Sequence, residues 1–437
     1  MTQQGKPANT IGNYLAVFSN DPILKGAIRR NELTERADIV KPLGWKRDGT
    51  SLTDTDVPYL MSYLESNYSL TSEKKIESVI KIVANENRYH PIRDCLNALE
   101  WDGQERIRTA LHYFLGAEQD QYSYECMLLF MLGAISRVFK PGCKFEVMLC
   151  LVGGQGAGKS TFFRFLAIND DRFTDDLKKL DDENVYRKMA GHWIIEMSEM
   201  IATANARSIE DIKSFISRQR ETYKLPYDKY PEDRKRQCVF GGSSNNLNFL
   251  PLDRSGNRRF LPILVNMENA DVHILDDEVA SRTYIKQMWA EAMVIYRSGA
   301  FRLKLSAETE KYLKAHQKEF MPEDTDAGQI IGWLENFKGD KVCSKQLYCE
   351  ALGNEYTKPK KWELQQINDI MNYSVKGWVS FENPRNFGRY GRQRGWEPIA
   401  VAKARQEGNS DDNNTNKNED GFQSIEEAGY EQEELPF

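Results

Sequence analysis

The stretch that most constrains the fold is residues 144–161, Lys-Phe-Glu-Val-Met-Leu-Cys-Leu-Val-Gly-Gly-Gln-Gly-Ala-Gly-Lys-Ser-Thr. Val147–Val152 is apolar and aliphatic enough to be a buried strand. It runs directly into Gly153-x-x-x-x-Gly158-Lys159-Ser160, and Thr161–Ala167 reads as the opening of a helix. Strand, glycine loop and helix together are the context in which the phosphate-loop pattern has a mechanism. Glycines let successive backbone N–H groups converge on a phosphate at the positive end of a helix. Residues Gly153, Gly154, Gln155, Gly156, Ala157, Gly158, Lys159, Ser160 and Thr161 would form that cradle, with Lys159 at the β- and γ-oxygens and the Ser160 hydroxyl on magnesium. The expected ligands are ATP and magnesium.

At 437 residues the chain is expected to hold two or three domains. No apolar run approaches the roughly 18 residues that span a bilayer, and the N-terminus lacks a signal-peptide pattern, so a soluble, cytoplasmic protein is expected. Seven scattered cysteines without Cys-x-x-Cys spacing read as reduced core residues. The net charge of −6 divides unevenly: residues 406–437 carry −9, leaving a mildly basic body of +3.

Residues 1–120 read as a helical N-terminal region, with helical spacing at Tyr59-Leu60-Tyr63-Leu64 and at Ile76-Val79-Ile80-Ile82-Val83, and a further helix from Gln104. Residues 121–310 alternate strand-like and helix-like runs, the pattern of a parallel α/β sheet. Its strands are expected at 147–152, 192–197, 236–242 and 260–265, behind a core helix at 122–138. Residues 326–400 carry three helices, near 326–336, 344–352 and 361–373, and a glycine- and arginine-rich hairpin, which suggests a small winged-helix-like domain. From 406 to 437 the Asn/Asp/Glu/Gly composition reads as a disordered acidic tail.

An ATPase also needs acids at the end of the neighbouring strand. Trp193-Ile194-Ile195-Glu196-Met197-Ser198-Glu199 supplies two: Glu196 on the magnesium side, Glu199 polarising the attacking water, with the roles exchangeable. Ser243-Ser244-Asn245 places an amide where a γ-phosphate sensor belongs. Arg258 and Arg259 follow a tight turn and could serve a neighbouring subunit's γ-phosphate. Lysine and tyrosine interleave in 223–231, where Lys224, Tyr227 and Lys229 would grip single-stranded DNA; a plain surface turn uses the same residues. Four arginines and three aromatics fall within 385–396, and Arg385, Arg389, Tyr390, Arg392 and Arg394 make a nucleic-acid wing.

Several of these segments, in order, resemble the virulence-associated protein E family, replication ATPases of phages and phage satellites. They are Asn20-Asp21-Pro22, Tyr89-His90-Pro91, Trp101-Asp102-Gly103, Gly153–Thr161, Trp193–Glu199, Ser243-Ser244-Asn245 and Gly256-Asn257-Arg258-Arg259-Phe260. The resemblance covers residues 20–265 and implies an AAA+, superfamily 3 helicase-like P-loop core. It further implies a homo-oligomeric ring, such as a hexamer, acting on single-stranded or forked DNA, with Arg258 or Arg259 as the finger in trans. The family usually has Thr-Thr-Asn where this chain has Ser-Ser-Asn, a change that keeps both hydroxyls. The final Leu435-Pro436-Phe437 resembles the tip of bacterial single-stranded-DNA-binding proteins, which implies docking to host replication proteins. The expected function is an ATP-dependent helicase or replication initiator. A DNA-stimulated remodelling ATPase without unwinding, and a non-catalytic recruiter, are the alternatives.

Overall fold

The computed structural model describes residues 8–177, 180, 184–198, 206–224, 231–252 and 257–411. The chain divides into two units, Met1–Pro322 and Glu323–Phe437.

Twelve strands are described: β1 (Ile28–Asn31), β2 (Arg36–Ile39), β3 (Arg88–Tyr89), β4 (Met148–Val152), β5 (Phe173–Thr174), β6 (Ile194–Ser198), β7 (Arg220–Tyr223), β8 (Glu232–Lys235), β9 (Val239–Ser244), β10 (Phe260–Leu264), β11 (Trp378–Asn386) and β12 (Arg392–Pro398). Five of them build a parallel sheet in the order β10-β4-β9-β6-β5. Parallel neighbours need crossovers, and the crossovers cover both faces of the sheet, so its strands are largely apolar up to the polar residues that close β6 and β9. All five residues of β4 are buried. Their alternation feeds two cores. Leu149 and Leu151 face the layer that contains the helix Gln121–Phe139. Met148, Cys150 and Val152 face the layer with Ile209, Ile212, Phe215 and Ile216 of the helix Ala206–Ser217.

Two contacts bring the helix that follows the glycine loop, Lys159–Leu166, onto this sheet. Gly241 of β9 has no side chain at the point where the Phe163 ring rests; a Cβ there would stand 2.3 Å from the ring. Trp289, its ring tilted against Trp193 with centroids 4.5 Å apart, donates its indole N–H to the Leu166 carbonyl at 3.0 Å. The end of this helix is therefore fixed from two sides.

The N-terminal region departs from the all-helical expectation. Its helices Ile11–Asn20, Asp56–Tyr68 and Glu73–Glu86 pack on a small sheet of order β2-β1-β3. These strands are two to four residues long and mixed in polarity, Ile-Arg-Arg-Asn and Arg-Ala-Asp-Ile, too short to show a period of two. The helix expected from Gln104 starts only at Ala110. Ile107, Leu111 and Phe114 share the core of the phosphate-loop layer, so this stretch packs with the sheet rather than with a separate domain.

One buried acid secures the N-terminal region. Asp56 accepts hydrogen bonds from Trp45 Nε1 at 2.9 Å, Arg47 Nε at 2.8 Å and the Thr53 amide at 2.8 Å. Burial works to raise its pKa, but these donors outweigh burial and hold it down at about 2. A depressed carboxylate stabilises the fold above its unfolded value and loses that contribution as pH falls toward the folded one. Asp56→Asn is expected to cost roughly 2 kcal/mol at neutral pH, with the difference from wild type vanishing between about pH 4 and pH 2. Urea melts at pH 7 and pH 3 measure it, and an equal cost at both pH values would contradict it.

In the second unit the helices Thr325–Asn336, Ser344–Gln346 (running on through Leu347–Ala351) and Lys361–Asp369 (running on to Ser374) enclose Ile330, Leu347, Ile367 and Trp396. The antiparallel pair β11–β12 follows. The helix Ile399–Asp411 then continues past 406, where the composition suggested the unstructured tail. Residues 412–437, including the terminal Leu-Pro-Phe, lie outside the described residues.

Candidate functional site

The glycine loop turns between the end of β4 and the helix Lys159–Leu166. Gly158, just before the helix, takes φ +75°, and a Cβ there would meet Ile274 at 2.9 Å; both facts demand glycine. Lys159 is consequently the first helical residue, with its stem buried and its ammonium turned back over the loop. Nζ donates to the carbonyls of Gly153 and Gly154, both at 2.7 Å, and to Asn245 Oδ1 at 2.9 Å. The strand order explains the last contact. β9 lies beside β4 in register, Val152 opposite Ser244, so Asn245 leaves the sheet at the same edge as the glycine loop.

One residue along, the Ser160 hydroxyl donates to Glu196 Oε1 at 2.8 Å, and the Ser243 hydroxyl donates to the same oxygen. Glu196 is fully buried on β6, opposite Gly241 of β9. Its other oxygen, Oε2, has no hydrogen-bond partner among the described residues. Burial pushes this carboxyl above the ordinary range; the two serine hydroxyls and the Lys159 charge oppose the shift without cancelling it. An ionised carboxylate with an unused oxygen beside a serine hydroxyl has the donor set of a magnesium ligand pair.

Around these groups is a cavity of about 390 Å³, lined by residues 155–161 together with Ser198, Ser243, Asn245, His273 and Leu275. Its size suits a nucleotide-sized ligand. Four of its lining residues carried no role of their own in the sequence reading: Ser198, Ser243, His273 and Leu275. His273 Nε2 stands 3.4 Å from the Gly156 carbonyl, and Leu275 is half exposed. No local pattern marks that segment, because its proximity to the loop arises only when the chain returns after β10. Ser243 could have been found, since strand alternation sets it on the same edge as Asn245.

Lys159, Ser160, Glu196 and Asn245 thus meet in space. The two arginines do not join them. β10 pairs in register with β4, Phe260 opposite Met148 and Leu264 opposite Val152. Arg258 and Arg259 precede β10, so they lie at least ~13 Å along the strand from the loop's end of the sheet. Arg259 donates from Nε to Ser217 Oγ at 2.9 Å and stands 3.9 Å from Glu146. Arg258 is 74% exposed, with Glu146 at 3.6 Å. Glu199, Tyr227 and Lys229 lie outside the described residues. Lys224 is exposed just after β7, which pairs antiparallel with β8.

Two of the four arginines of the C-terminal hairpin, Arg385 and Arg389, pair with acids of their own unit. Arg385 makes two hydrogen bonds to Glu397, at 2.7 and 3.2 Å, and Arg405 adds a third contact to that carboxylate. Arg389 pairs with Glu350 and Glu355, and the Tyr390 hydroxyl donates to Glu350 at 2.7 Å. Arg392 donates to the Pro384 carbonyl, while Arg394 is exposed.

A five-stranded parallel sheet with a glycine loop between its β4 and the next helix defines a phosphate-loop α/β protein. Residues 96–322 match the virulence-associated protein E-like domain, and the chain belongs to that family. Among solved structures, three of the C-terminal region of NrS-1 are similar at 13–14% identity. They cover 85% of this chain and 95–96% of theirs, with TM-scores of 0.45, 0.43 and 0.47. No curated protein sequence matches. Among the described residues no helix is long and apolar enough to cross a membrane.

Proposed function

We propose that the chain is an ATP-driven replication protein of a phage or mobile element, hydrolysing ATP with magnesium between the subunits of a ring and acting on single-stranded or forked DNA. The observation that carries this reading is the meeting of Lys159, Ser160, Glu196 and Asn245 at one edge of the sheet. The loop amides and the Lys159 ammonium would hold the β- and γ-phosphates. Ser160 and Glu196 would hold magnesium, which supplies charge neutralisation at the phosphates. Asn245, hydrogen-bonded to Lys159, is positioned to report the γ-phosphate to the same ammonium.

The test is ATP turnover with and without single-stranded and forked DNA, with strand separation read in the same samples. DNA-stimulated turnover with separation supports a helicase. Turnover that leaves forks intact indicates a remodelling ATPase, and no turnover under any condition refutes the reading.

Glu196 supplies a second check with two readouts. Its raised pKa means the folded chain holds that proton more tightly than the unfolded chain, so its contribution favours folding at acid pH and declines as pH rises through the raised value. Glutamine keeps an acceptor for both serine hydroxyls but cannot ionise. Without nucleotide or metal, Glu196→Gln is expected to melt a few degrees (~2–4 °C) above wild type at pH 8, with a smaller gain at pH 5. Turnover should fall by about 10–100-fold. A gain independent of pH would show that the carboxylate is not costly in the fold.

A further inference from the structure

We infer that the nucleic-acid-binding face of the C-terminal unit is the strap Tyr356–Trp362, with single-stranded DNA as its ligand, rather than the arginine-rich hairpin. This rests on the proposed action on DNA but not on the nucleotide site. Two of the four hairpin arginines, Arg385 and Arg389, face acids of their own unit, Glu397, Glu350 and Glu355, so part of the charge in that segment is neutralised within the fold. The strap shows the opposite arrangement. Lys358, Lys360 and Lys361 are exposed, and none forms an ion pair among the described residues. They are flanked by Tyr356, 98% exposed, and Trp362, 61% exposed.

Exposed aromatics are costly unless something covers them, and Trp362 is the exception in its unit: Trp333, Trp378 and Trp396 are half-buried or buried. The strap is also fastened so that these groups face outward. The Thr357 hydroxyl meets the Tyr348 hydroxyl at 3.0 Å. The Lys360 amide donates to Glu363 at 2.6 Å, which closes the start of the helix Lys361–Asp369. Glu363 is thereby used on the backbone, and Glu355 faces Arg389. Cations that neutralise phosphates, interleaved with open ring faces on which bases stack, make a single-strand platform. A protein partner would need an apolar contour, and the lysines interrupt it; a duplex offers no base face to the rings.

The experiment uses the full chain and a fluorescein-labelled oligothymidylate, titrated at several salt concentrations. Tyr356→Ala/Trp362→Ala is expected to weaken binding about tenfold or more, the loss of stacking under one or two bases. Lys358→Gln/Lys360→Gln/Lys361→Gln should reduce the slope of log affinity against log salt by about 2. Arg389→Gln/Arg394→Gln, on the hairpin, should change the affinity less than threefold. All substituted side chains are exposed, so thermal melts confirm that each variant is folded. Strap variants with wild-type affinity, or a hairpin variant that loses the DNA, would overturn the inference. A wild type that turns over ATP but does not retain the oligonucleotide overturns the strap and leaves the nucleotide site standing. A chain whose strap variants lose DNA but which never turns over ATP overturns the nucleotide site and leaves the strap.

Discussion

Lys159→Ala is expected to reduce ATP turnover by on the order of 10³-fold, with nucleotide affinity falling much less. Lys159 is only 8% exposed, and its ammonium lies among the carbonyls of Gly153 and Gly154 and the amide oxygen of Asn245. A phosphate entering the loop exchanges those neutral acceptors for anionic oxygens. The gain is largest where charge moves onto the bridging and equatorial oxygens, in the transition state, so removing the cation damages turnover more than binding. Lys159→Arg should not rescue it, because the planar guanidinium does not fit a slot shaped for a point charge and hydrogen-bonded on three sides. Turnover is read by phosphate release, affinity by a fluorescent ATP analogue, and folding by thermal melts. Turnover within tenfold of wild type would remove the phosphate loop from the chemistry.

How legible this site was depended on how local its parts are. The glycine loop was readable because its strand, turn and helix are contiguous, and Glu196 and Asn245 because each closes an apolar run whose end had to reach the same sheet edge. His273 and Leu275 as lining residues depend on the chain's return to the loop, with His273 117 residues from Gly156, which no spacing rule encodes. The same limit hid the acidic partners of the C-terminal hairpin. A cluster of arginines looks cationic in a linear chain, but Glu350, 39 residues from Arg389, pairs with that arginine, and Glu397 on the other strand of the hairpin pairs with Arg385 once folded. The three short N-terminal strands were illegible for another reason: two to four residues of mixed polarity carry no period, and only pairing makes them a sheet.

Arg258→Ala is expected to cost about 10³-fold or more in turnover, the magnitude of a finger supplied in trans, while leaving nucleotide affinity nearly intact. Geometry separates the two arginines. Arg259 is hydrogen-bonded to Ser217 at the end of the helix Ala206–Ser217, so Arg259→Ala should mainly destabilise, by about 1 kcal/mol. Arg258 projects into solvent from the end of the sheet opposite its own glycine loop, out of reach of its own phosphates. If it acts on a neighbour, each site combines one subunit's Lys159 with the next subunit's Arg258. Two inactive variants should then complement: mixing Lys159→Ala with Arg258→Ala subunits leaves roughly a quarter of the interfaces with both groups intact, and turnover should return toward that fraction. A residue acting within its own subunit cannot be rescued this way. Full loss in each variant with no recovery on mixing, in assemblies shown to exchange subunits, would therefore place the Arg258 effect in its own chain, and loss of neither would remove it from the reaction altogether.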